Sequence, residues 1–150
     1  MTTNDTIATF LWFEQGADEA ARQYCAIVPG ARLIEASPAS ATFELRGQRF
    51  IAFNGGPHHE LTPAVSIFIA CETQAEIDEL WTRFLAAGAT ESRCGWLTDR
   101  FGLSWQIIPR ALPSLIGDPD PARARRALDA MMTMRKLDLA ALQRAHAGDA

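Results

Sequence analysis

Ile7-Ala8-Thr9-Phe10-Leu11-Trp12-Phe13-Glu14-Gln15-Gly16-Ala17-Asp18-Glu19-Ala20-Ala21-Arg22-Gln23-Tyr24-Cys25-Ala26-Ile27-Val28-Pro29-Gly30 changes its hydrophobic period once, at Gly16. Before it, Ile7 to Phe13 is a run of β-branched and aromatic residues that reads as a strand. After it, Ala17, Ala20, Ala21, Tyr24, Cys25 and Val28 fall at helical spacing, with Asp18, Glu19, Arg22 and Gln23 on the outer side. Pro29-Gly30 stops the helix. Strand-like runs follow at 31–36, 40–45 and 49–53, with a turn at Arg46-Gly47-Gln48. Asn54-Gly55-Gly56-Pro57 then breaks the pattern.

The same order recurs. Residues 64–70 alternate as a strand, Val65, Ile67 and Ile69 on one side, Ser66, Phe68 and Ala70 on the other. Thr73-Gln74-Ala75-Glu76 is a capping box. Ile77, Leu80, Trp81, Phe84 and Leu85 form an apolar stripe, and Gly88 ends the helix. Three shorter strands are predicted near 90–93, 95–98 and 103–108, the last two joined by Asp99-Arg100-Phe101-Gly102. The chain thus spells strand–helix–strand–strand–strand twice, about 57 residues apart if Ile7 is set against Ala64. One such unit leaves a sheet face bare, and two units can curl into a shared eight-stranded cup. We therefore expect one α+β domain. It has module one at about 7–57, module two at about 64–109 and a helical extension at about 112–146. In the extension, Asp120 with Pro121 opens one helix and Asp138 opens a short one through Leu142. Three of the four methionines lie in Met131–Met134, which suggests packing on an adaptable apolar surface.

Bulk properties narrow the function. The chain has 150 residues, is 48% hydrophobic and carries a net charge of −4. It lacks the basic footprint of a nucleic-acid binder, and no apolar run is long enough to span a membrane. Cys25, Cys71 and Cys94 are too few for a secreted disulfide framework, and the first residues do not read as a signal peptide, so a cytoplasmic protein is expected. Three His and one Lys leave few routes to a metal cage or a Schiff base.

Several runs resemble the PhnB-like branch of the vicinal oxygen chelate superfamily, which also holds glyoxalase I, bleomycin-resistance proteins and extradiol dioxygenases. They are Thr9-Phe10-Leu11-Trp12-Phe13, Phe53-Asn54-Gly55-Gly56-Pro57, Cys94-Gly95-Trp96-Leu97, Asp99 through Gln106, and Met134-Arg135-Lys136-Leu137-Asp138. The resemblance implies paired βαβββ modules forming a cupped eight-stranded mixed sheet, a homodimer and, in the superfamily's enzymes, a divalent metal held by His and Glu. Carried over residue by residue, the ligand positions fall on Thr9, Asn54, Ser66 and Gln106. None is an imidazole or a carboxylate, and neutral hydroxyls and amides hold transition metals weakly. The resemblance also brings the label of a ubiquinone methyltransferase. Methyl transfer from a nucleoside cofactor usually uses a Gly-rich loop after the first strand, and Glu14-Gln15-Gly16-Ala17 has one Gly.

The expectation is a small-molecule-binding protein without a strong divalent-metal site. The alternative is a metal-dependent lyase, isomerase or dioxygenase-like enzyme using His58 or Glu60. Candidate ligand contacts are Thr9, Asn54, Ser66, Gln106 and Trp105. Weak catalytic candidates are His58 and His59, as acid–base groups, and Cys94, as a thiolate nucleophile. The plainer reading makes the histidines solvated loop residues and Cys94 a small apolar filler.

Overall fold

The structure is a computed structural model that describes residues 6–149. It divides into two compact units at Thr62/Pro63. The first has strand β1 (Thr9–Phe13), helix α1 (Ala17–Ile27), and strands β2 (Ala31–Ala36), β3 (Ser40–Leu45) and β4 (Gln48–Asn54). Its sheet runs β1-β4-β3-β2, with β1 parallel to β4 and the other pairs antiparallel. Tyr24 of α1 meets Phe43 at 5.9 Å between ring centroids, and Phe43 stacks on Phe50. These contacts identify the helix-covered face of the sheet, where Leu11, Phe13, Phe43, Phe50 and Ala52 are all buried.

The second unit repeats the plan with β5 (Ser66–Cys71), α2 (Gln74–Ala86), β6 (Thr90–Glu91), β7 (Trp96–Thr98) and β8 (Ser104–Pro109). Its order is β5-β8-β7-β6, and β5 is parallel to β8. Ile67, Ile69, Trp105 and Ile107 share the side covered by α2, where the rings of Phe84 and Trp105 stand 4.8 Å apart. Thr73 caps α2 by accepting from the Glu76 amide, as the capping box predicts. The Glu76 carboxylate reaches back one residue further than expected, to the Glu72 amide.

The helical extension belongs to this second unit. It begins with a short helix, α3 (Leu112–Ile116), that the sequence reading did not resolve. Next come α4 (Pro121–Met132), capped by Asp120, and α5 (Leu139–Ala147), capped by Asp138 and running on beyond the expected end at Leu142. Leu112, Leu137 and Leu142 pack with Ile108, so the extension has its own small core at the end of β8.

Asp99 ties the loop between β7 and β8 to the core. It is 5% exposed, and its Oδ1 accepts from the amides of Phe101 and Leu103 while Oδ2 accepts from Trp105 Nε1 at 2.9 Å. Asp99→Ala strands three donors. The Leu103 and Trp105 donors are buried, and the loss should cost roughly 3 kcal/mol. Urea unfolding should show this as a lower midpoint with the slope unchanged.

Candidate functional site

Strand alternation sorts the candidate residues onto faces. In the first unit Thr9 pairs with Phe50 and Phe13 with Asn54, so Thr9 and Asn54 lie on the helix-covered side. The open face carries Phe10 and Trp12 from β1, with Ile51 and Phe53 from β4. Phe10 and Trp12 both pack on Phe53, at 5.5 and 5.4 Å. The placement of Thr9 and Asn54 at an open ligand site is therefore corrected. The cause is a loop-length difference. Two residues, Glu14 and Gln15, separate β1 from the N-cap Gly16, whereas only Glu72 separates β5 from the N-cap Thr73. The helices repeat after 57 residues and the strands after 58, and a one-residue shift turns every strand side chain to the other face.

Asn54 has a structural task instead. Gly16 offers no side-chain cap. Asn54 Oδ1 reaches across from β4 and accepts from the Ala17 amide at 2.8 Å, while its Nδ2 donates to the Pro38 carbonyl. The next residue lies under Trp12: a Cβ at Gly55 would come within 2.0 Å of the indole, so only glycine fits. Trp12 Nε1 donates to the Gly56 carbonyl, and His59 stands edge-on to the indole at 4.9 Å. Asn54-Gly55-Gly56-Pro57 is thus a clasp that seats Trp12. His58, His59 and Glu60 are exposed. Among the described residues no three His, Cys, Asp or Glu side chains converge as a metal group.

In the second unit Ser66 pairs with Ser104 and Phe68 with Gln106, which places Ser66 and Gln106 together on the open face. Gln106 Nε2 donates to Ser66 Oγ at 2.9 Å. Trp96 of β7 lies directly beside Gln106. Ser104, on the same face, is buried, and its hydroxyl has no hydrogen-bond partner. Trp105 points the other way. It is fully buried in the helix-side core and held by Asp99, so it is not a ligand contact.

Cys94 is half-buried rather than core. It occupies the tight turn between β6 and β7 with φ of +58°. The Cys94 and Gly95 amides donate to the carbonyls of Met134 and Arg135. Gly95, at φ +84°, lies so close to β8 that an added Cβ would stand 2.9 Å from the Ile107 carbonyl oxygen. Burial raises the thiol pKa of Cys25.

One charged cluster was not singled out from sequence. Glu44, on the open face of the first sheet, is buried and bridged by Arg32 at 2.9 Å and Arg49 at 3.3 Å. Its Glu-Arg signal was present, but strand parity was needed to see all three converge. The hydrogen bond from Arg32, and less strongly that from Arg49, holds the Glu44 carboxyl below the usual carboxylate range. A lowered folded-state value stabilises the fold above the unfolded pKa, about 4.3 for Glu. That contribution is lost as pH falls through the folded value. Glu44→Gln should lower the melting temperature at pH 7, and the gap from wild type should shrink as the melts are moved toward pH 3.

Residues 5–108 match the family described as 3-demethylubiquinone-9 3-methyltransferase. Among solved structures, the PhnB protein from Bacillus cereus is 30% identical with a TM-score of 0.60. The alignment covers 70% of this chain and 99% of that one. Protein PA1353 from Pseudomonas aeruginosa is 21% identical over 66% of this chain and 92% of its own, with a TM-score of 0.54. The fosfomycin resistance protein FosX from Listeria monocytogenes is 16% identical over 68% and 87%, with a TM-score of 0.51. The last two speak for the fold alone. No curated protein matches.

Proposed function

We propose that this chain, which belongs to the 3-demethylubiquinone-9 3-methyltransferase family and so to the PhnB-like branch of the vicinal oxygen chelate superfamily, binds a small molecule without holding a divalent metal tightly. The observation that carries the reading is the Ser66–Gln106 pair on the open face of the second sheet. Gln106 stands on the last strand of its module, where the resemblance puts a metal-binding carboxylate. Its amide brings no negative charge and is already spent in part on a serine hydroxyl. Neither group suits a transition metal, which favours imidazole, thiolate or carboxylate. In the first unit the corresponding open-face position, opposite Phe10, is Ile51, which has no donor atom at all. The donor set does not fit the superfamily's metal.

The methyl-transfer label finds little support in the residues. The loop from β1 to α1 has one glycine, and the first helical amide is already taken by Asn54. A metal-dependent lyase or dioxygenase would have to recruit His58, His59 or Glu60, and these stand exposed beyond the sheet. The reading includes a homodimer, supported by Phe10 and Phe68, each more than half exposed on a strand. It also includes a cytoplasmic location, in keeping with the unpaired thiols of Cys25 and Cys94. No described helix is long and apolar enough to cross a membrane.

Elemental analysis of the protein after dialysis against Zn, Ni, Mn and Fe salts checks the metal statement. The expected content is far below one ion per chain. Stoichiometric retention of any of the four would overturn the reading.

A further inference from the structure

The family match ends at Ile108, and the Bacillus cereus chain is covered almost end to end by 70% of this one. The helices α3, α4 and α5 lie beyond the residues that the family model matches. Between them and the open face of the second sheet lies a cavity of about 290 Å³. From the sheet, Phe68, Trp96, Gln106 and Ile108 line it. From the extension come Leu112, Pro113, Ile116 and Met131, and Cys94 completes the wall.

We propose that this cavity is a ligand site created by the extension, and that it takes an uncharged, mainly apolar molecule of about two fused rings bearing one hydrogen-bonding group. The proposal rests on the small-molecule reading above and names the class of ligand. Size comes first. A cavity of about 150 Å³ accommodates benzene, so this one has room for roughly twice that. Charge comes second. No Lys, Arg, His, Asp or Glu lines the wall, and an unpaired charge would enter an apolar surround with nothing to compensate it. The polar group comes third. Gln106 carries the only amide side chain in the wall. One hydrogen bond to Ser66 orients it, and an amide can make more than one. The remaining capacity faces an otherwise apolar space, where a single hydroxyl or carbonyl on the ligand would satisfy it.

The cavity is also held open. An unfilled apolar void is unfavourable, and a loosely attached extension would settle into it. Here the Cys94 and Gly95 amides fix Met134 and Arg135. Gln74 on α2 clamps both sides of Asp138, donating to the Leu137 carbonyl and accepting from the Leu139 amide. Lys136 adds an ion pair to Asp78 at 2.9 Å. These attachments fasten the extension to the turn between β6 and β7 and to α2.

Three probes with one ring system separate the terms: naphthalene, 1-naphthol and 1-naphthoate, titrated into the full chain by calorimetry and by tryptophan fluorescence. The expected result is one 1-naphthol per chain, with naphthalene about threefold to tenfold weaker and 1-naphthoate at least about tenfold weaker. Gln106→Leu should keep naphthalene binding and abolish the advantage of 1-naphthol. Ile116→Trp, and independently Pro113→Trp at an exposed position, should block all three, with thermal melts confirming that the variants fold. Absence of saturable binding, equal binding of 1-naphthoate, or binding untouched by both Trp variants would each overturn the proposal. Those outcomes leave the metal content unchanged, so failure here is distinct from failure of the broader reading.

Discussion

In both units the first strand runs parallel to the last, and the hydrogen bonds between them fix which side chains stand away from the helix. Everything that bears on function depends on that register. Ser66 opposite Ser104 brings Gln106 to the open side and sends Trp105 into the core. Thr9 opposite Phe50 does the reverse for the residues that the 57-residue spacing sets equal to Ser66. Burial shows the true correspondence. Leu11 and Ile69 are both buried, as are Phe13 and Cys71, while Phe10 and Phe68 are both exposed. These pairs are 58 apart, and a single extra loop residue before α1 accounts for the change.

Much of the fold was legible in the sequence because its signals are local. The bounds of β2 and β3, the starts of α1 and α4, and the caps Thr73, Asp120 and Asp138 all follow from spacing and side-chain chemistry within a few residues. The candidate site was legible only in its second half. Strand parity depends on counting residues through a loop, and periodicity does not reveal whether a loop holds one residue or two. Asn54 was misplaced for a related reason: its partner, the Ala17 amide, is 37 residues away. The helix α3 carries too few residues to show a period.

The runs that reveal the family are largely spent on geometry. Asn54 caps a helix from another strand, Gly55 makes room for Trp12, Asp99 gathers three donors, and Cys94-Gly95 anchors the Met134-Arg135 segment. Asp99 makes a local fastening within one loop, and the other three join distant parts of the sequence. Residues of this kind hold the fold without carrying a reaction, and a fold hosts chemistry only through its site.

That division explains where this chain's individuality lies. The open face of the second sheet offers Phe68 and Trp96 around one amide. Left bare, it would be an apolar patch on a module edge. The extension converts it into a half-open cavity by bringing Leu112, Ile116 and Met131 beside it. Sequence reading assigned the Met131–Met134 run to packing, and Met134 does pack beside Leu137 and Leu142. Met131 also packs against that core, yet it forms part of the cavity wall as well. A flexible, polarisable side chain there adapts to the shape of what it touches. Helix α4 thus supplies the yielding wall at Met131, while the segment after it, from Met134 to Leu139, fastens the extension.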